Sequence, residues 1–135
     1  MKVFVDTNIL IDYVCCRAGF EEGATRIFAL GYLKKLELVT SALSYVTTMY
    51  VASKYDYQNV KKSLKAVSDF VTIQDLCADT VVKMLLSDWK DYEDSVQYHS
   101  AILSKADCIV TRNKKDFKKS ELPVYMIDEL FDLLM

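Results

Sequence analysis

Residues 2–14 read KVFVDTNILIDYV, and the fold is decided by how this stretch is parsed. Lys2–Val5 alternates and is β-branched or aromatic at three of its four positions, as a strand does. Asn8–Cys16 repeats apolar residues at helical spacing. Between the two stands Asp6, a carboxylate at the end of a buried strand. A charge so placed is costly unless something pairs with it. It either caps the following helix or faces a cation, and both readings stay open on this stretch alone.

Working outward, the same alternation recurs along the chain. Strands are predicted at 37–40 (ELVT), 70–74 (FVTIQ), 107–111 (DCIVT) and 123–127 (PVYMI). Helices are predicted at 20–36, 41–55, 57–70, 78–89, 95–106 and 128–135. Strands separated by helices in this way call for a parallel sheet with helices on both faces. The strands are nearly continuous apolar runs, the pattern of a sheet covered on both sides. Residues 1–135 hold one proline, no repeat and no linker, so the expectation is one α/β domain, three-layered, with a five-stranded parallel sheet.

Composition narrows the function. No apolar run nears the ~20 residues that span a bilayer, and the chain enters a strand at once instead of a leader, so no membrane association and a cytoplasmic setting are expected. Gly19, Gly23 and Gly31 are too dispersed for a dinucleotide or nucleoside-triphosphate loop. Cys15, Cys16, Cys77 and Cys108 lack metal-ligand spacing and read as reduced thiols, with Cys108 in the core. With a single histidine, His99, any metal here would be held by oxygen. The net charge of −2 announces no polyanion ligand, yet Arg112, Lys114, Lys115, Lys118 and Lys119 crowd one turn, TRNKKDFKK.

Carboxylates stand at the ends of the strands. Asp6 ends the first strand, Asp116 comes after the fourth, and Asp94 opens the helix leading into it, beside Asp91 and Glu93. Each has a plain reading as a helix cap or a dipole partner. Together, at the carboxyl edge of one sheet where such folds keep their sites, they would repel and raise each other's pKa. A hard divalent cation, Mg²⁺ or Mn²⁺, resolves that conflict and suits phosphodiester chemistry.

VFVDTNILIDY together with YEDSVQYHSAILSKADCIVTRNKKDF resembles a PIN domain, the nuclease domain of VapC-type toxins and of many RNA-processing enzymes. The resemblance runs from the first strand to the last. It implies a Mg²⁺- or Mn²⁺-dependent ribonuclease acting on RNA, often a dimer, and in the toxins an antitoxin protein as partner. Carried over by position, Asp6, Asp94 and Asp116 fall on the catalytic metal-binding acids, with Asn8, Thr111 and Asn113 as supporting polar groups. The family's further glutamate, early in the helix after the second strand, aligns with Thr47 here, and Glu93 is the acid able to supply the missing charge. Arg112, Lys114 and Lys115 are then expected to steer the RNA backbone. The competing expectation is a PIN-fold RNA- or protein-binding module without catalysis. A phosphotransfer enzyme with Asp6 as nucleophile is disfavoured, because Asn8 stands where a second aspartate would be needed.

Overall fold

The computed structural model describes residues 1–135. Five strands, β1 (Lys2–Val5), β2 (Glu37–Ser41), β3 (Thr72–Gln74), β4 (Cys108–Val110) and β5 (Val124–Tyr125), form one parallel sheet in the order β3-β2-β1-β4-β5. The chain lays down β1, β2 and β3 in one direction and then crosses to the other side of β1 for β4 and β5. A topological switch point therefore lies between β1 and β4, where a crevice opens at the carboxyl ends of the strands.

Alternation within the strands builds the layers. Val3 and Val5, with Leu38, Cys108 and Val110, face a core completed by helices α1 (Thr7–Val14), α2 (Glu21–Tyr32), α4 (Tyr57–Val67) and α7 (Ile127–Leu134). Phe4, Val39 and Ile109 face the other side, where Tyr98 and Ala101 of α6 (Tyr92–Leu103) and Phe117 close a smaller core. Helix α3 (Ala42–Ala52) packs on α1 and α4, and α5 (Ala78–Leu86) on α6. The three central strands are buried on both faces, but the edge strands are not: Thr72 and Ile73 of β3 are exposed. The thiols are free, and Cys108 is buried in β4 as expected, its pKa pushed up to about 11 chiefly by burial. No helix is long and apolar enough to cross a membrane.

The element ends differ from expectation where backbone chemistry intervenes. Helix α1 stops at Val14 and Cys16 turns into the left-handed region (φ 52°). Helix α2 stops at Tyr32 rather than at 36, because Lys34 is left-handed (φ 60°) and the chain must turn to bury Leu36 and enter β2. Helix α6 begins three residues before the predicted 95, since Asp91 caps it by accepting from the Asp94 N–H (3.0 Å). That earlier start puts Glu93 and Asp94 in the first helical turn.

Gly31 shows how closely α2 sits on the sheet. A Cβ there would stand 2.8 Å from Leu38 Cγ, and closer still to its Cδ1. Leu38 is itself buried in the core, with little room to move. Gly31→Ala is accordingly expected to cost about 1–3 kcal/mol through overpacking, read as a lower urea midpoint at unchanged slope; an unchanged midpoint would refute this packing.

Candidate metal centre at the switch point

Asp6 is the N-cap of α1 and is also part of the crevice wall. Its N–H donates to the Val110 carbonyl (3.0 Å), which ties the end of β1 to the end of β4. One carboxylate oxygen accepts from the Thr7 N–H (2.8 Å) and the other from the Thr111 hydroxyl (2.8 Å). Thr111 is oriented in turn by accepting from the Asn113 N–H (3.1 Å). Burial raises the Asp6 pKa, with the Thr111 and Thr7 hydrogen bonds opposing.

The other acids arrive on separate elements. Asp94 stands in the first turn of α6. Asp116 sits in a short 3-10 turn, Lys114–Phe117, held down by Phe117 in the smaller core. Asp6, Asp94 and Asp116, with Asp91, Glu93, Asn8 and Thr47, line one crevice of about 300 Å³. Thr47 and Glu93 meet directly, the Thr47 hydroxyl donating to a Glu93 carboxylate oxygen (3.0 Å). A threonine hydroxyl on α3 thus orients a glutamate from α6.

Below the acids runs a polar seam that was not expected from the sequence. The Gln97 amide donates to Thr7 Oγ1 (2.9 Å) and Ser44 Oγ (2.8 Å), and its carbonyl accepts from Ser41 Oγ. Gln97, Ser41 and Ser44 are fully buried. The seam locks α1, α3, α6 and the end of β2 together directly behind the crevice. Its only signal in the sequence is a glutamine and two serines set among residues expected to be apolar.

Charge decides what the crevice can hold. Burial and then the carboxylates of Asp91, Asp6, Asp116 and Glu93 push the Asp94 pKa up to about 7. The donors are oxygen throughout, as a hard divalent cation prefers. No three acids, histidines or cysteines are gathered tightly enough to enclose an ion by themselves. Such an open set of oxygens would leave a divalent cation room to keep waters and take further oxygens from another group, unlike an all-protein cage. Asp6, Asp91, Glu93, Asp94 and Asp116 are the acids that line the crevice.

The basic turn is arranged otherwise than expected. Arg112 does not face the acids: its Nε lies 2.7 Å from Asp12 Oδ2, and its Nη2 donates to Asp12 Oδ1 (3.2 Å). Its guanidinium lies over the Phe20 ring at 3.9 Å. Asp12 is fully buried, and Arg17 assists as its second cation at 3.5 Å. Arg112 is therefore a structural partner for a buried carboxylate, not a free cation for RNA. Lys114 pairs with Glu129 (3.1 Å) on α7. Asn113 is exposed and lies outside the crevice lining, contributing its backbone to the turn. Of the three basic residues expected to steer RNA, Lys115 alone borders the acids, in an adjoining groove. Arg17 lines the crevice itself and carried no signal beforehand.

The family model described as PIN domain matches residues 2–115. Ribonuclease VapC1 of Aquifex aeolicus is 27% identical over 137 residues, spanning 95% of this chain and 92% of that protein. Among solved structures, a toxin–antitoxin complex from Klebsiella pneumoniae holds a chain similar in fold, with TM-score 0.68, 24% identity, and 93% of this chain and 97% of that one covered. VapBC2 from Rickettsia felis, bound to a DNA fragment from its promoter, is similar at TM-score 0.67 and 18% identity, with 93% and 98% covered. These two likenesses bear on the fold.

The burial of Asp94 and the crowding of acids around it have a measurable consequence without metal. With its folded pKa near 7 against an ordinary 3.8, Asp94 holds a proton in the folded state that the unfolded chain gives up. Stability from this group is present below 3.8 and is lost as pH rises through about 7. Thermal melts in a chelator should therefore find Asp94→Asn more stable than the parent above the folded pKa and indistinguishable from it below 3.8. A variant equally stable or less stable at the higher pH would show that burial and the neighbouring carboxylates do not hold the Asp94 proton as the geometry requires.

Proposed function

Because this chain belongs to the PIN domain family, we propose that it is a metal-dependent endoribonuclease that hydrolyses RNA phosphodiester bonds. The observation that carries the reading is the meeting of Asp6, Glu93, Asp94 and Asp116 on one crevice at the switch point of the sheet. Similarity to a ribonuclease along nearly the whole chain supports it. The fold is shared with chains of toxin–antitoxin complexes, so the biological setting we assign is that of a toxin restrained by an antitoxin protein.

In this reading Asp6, Asp94 and Asp116 hold Mg²⁺ or Mn²⁺, and Glu93 supplies the anionic charge absent at Thr47. When bound, the ion neutralises phosphate charge and activates the attacking water. The chain's part is positioning. Thr111 and the Thr7 N–H fix the Asp6 carboxylate, Thr47 fixes Glu93, and Phe117 anchors the turn that carries Asp116. Both Asp6 oxygens are already engaged as acceptors, an arrangement suited to a fixed ligand rather than to a nucleophile.

Asp6→Asn keeps the shape of the side chain and leaves Thr111 able to pair with it, while removing the charge. The variant is expected to fold normally and to lose RNA cleavage with Mn²⁺ by more than the ~100-fold that loss of an outer-shell group costs. Cleavage at the parent rate by the purified variant would place the activity elsewhere.

A further inference from the structure

Beside the acidic crevice lies a second depression of about 290 Å³. It shares Asp91, Asp94 and Asp116 with the crevice, and its remaining lining is Trp89, Lys90, Lys115, Lys118 and Lys119. The four lysines come from two separate segments, the loop before α6 and the turn after β4, which makes their convergence a property of the fold rather than of a run of sequence. Lys119 is engaged with Asp88 (3.0 Å). Lys90, Lys115 and Lys118 are exposed and form no ion pair, although three aspartates line the same groove.

Lysines that border carboxylates without pairing with them keep their charge available for another anion. Trp89 adds an aromatic surface: it stacks on Tyr98 (centroids 5.1 Å apart) and meets Phe117 edge-on, so it is braced, and it is only half-buried. Unpaired lysines beside a fixed aromatic plate are the means by which single strands are held without base readout. The groove runs directly into the acids, so phosphates seated along it would deliver the next phosphodiester to Asp94 and Asp116.

We infer that the Trp89–Lys90–Lys115–Lys118 groove is the binding track for single-stranded RNA next to the cleavage crevice, replacing the expected Arg112 and Lys114. This rests on the nuclease reading for the identity of the polyanion, and on the groove itself for its place.

The test is the binding of a labelled single-stranded RNA to the full chain, measured by fluorescence anisotropy across a salt series, with Ca²⁺ in place of Mn²⁺ to suppress cleavage. Lys90→Gln, Lys115→Gln and Lys118→Gln combined should reduce the slope of log affinity against log salt by about 2, at ~0.7 for each phosphate no longer neutralised, with about tenfold weaker binding at low salt. Lys61→Gln, Lys62→Gln and Lys65→Gln combined, on the far helix α4, should change neither. Circular dichroism melts check that these surface variants stay folded. Equal losses from both sets, an unchanged slope in the groove variant, or no RNA binding by the parent would overturn the assignment. Cleavage by the parent with Mn²⁺, measured in parallel, separates the two claims. Cleavage with normal binding by the groove variant refutes the groove alone. Groove-dependent binding without cleavage refutes the nuclease and leaves the groove.

Discussion

The burial of the Asp6 carboxylate at the end of β1 is the constraint around which the rest is arranged. A carboxyl group that is only 5% exposed needs partners for both oxygens, and here each partner comes from a different direction. The Thr7 N–H is supplied by the start of α1, and the Thr111 hydroxyl by the end of β4. The second is within reach only because the sheet reverses its order at β1 and lays β4 alongside it, in register from Val3–Cys108 to Val5–Val110. Topology, capping and the site are thus one requirement seen at three scales. A strand order that separated β4 from β1 would leave this carboxylate buried with a single donor.

Around that fixed point the charges are sorted rather than mixed. Asp6, Asp91, Glu93, Asp94 and Asp116 face one crevice, where burial first and then the neighbouring carboxylates raise the Asp94 pKa. Asp12, one turn beyond Asn8 on the same helix, is treated in the opposite way. It is fully buried and matched by Arg112 and Arg17. The difference is functional as well as structural. A carboxylate neutralised by arginine is closed to further cations, whereas the crevice acids have no such arginine partner, and on the proposed reading a metal and its phosphate ligand would supply the missing positive charge.

The alternation of strands and helices was legible because both covered faces of a parallel sheet demand apolar runs of readable length. Asp6 and Asp116 were legible because they come after strand runs and Asp94 because it opens the helix that leads into one, so the edge of the sheet on which they gather could be inferred from the pattern. The start of α6 was placed at 95 although Asp91 was read as a cap, because the first turn, Tyr92–Asp94, adds no apolar repeat to the helical pattern. The fate of the basic turn was not legible. Arg112 and Lys115 are three residues apart, yet one turns to Asp12 and Phe20 and the other toward the acids. That choice depends on long-range partners, Asp12 one hundred residues away among them, and no local pattern encodes it. Gln97 was missed for a related reason, since its partners Thr7, Ser41 and Ser44 lie on three other elements.

The central claim is that these acids hold a divalent cation at the switch point. Paramagnetic broadening of backbone amide resonances by sub-stoichiometric Mn²⁺ tests it residue by residue and without reference to catalysis. An ion held there requires the broadening to centre on residues 6–8, 93–97 and 113–116, three stretches remote in sequence, and to disappear in excess Mg²⁺. Broadening centred elsewhere, or none beyond that of exposed surface acids, would contradict it.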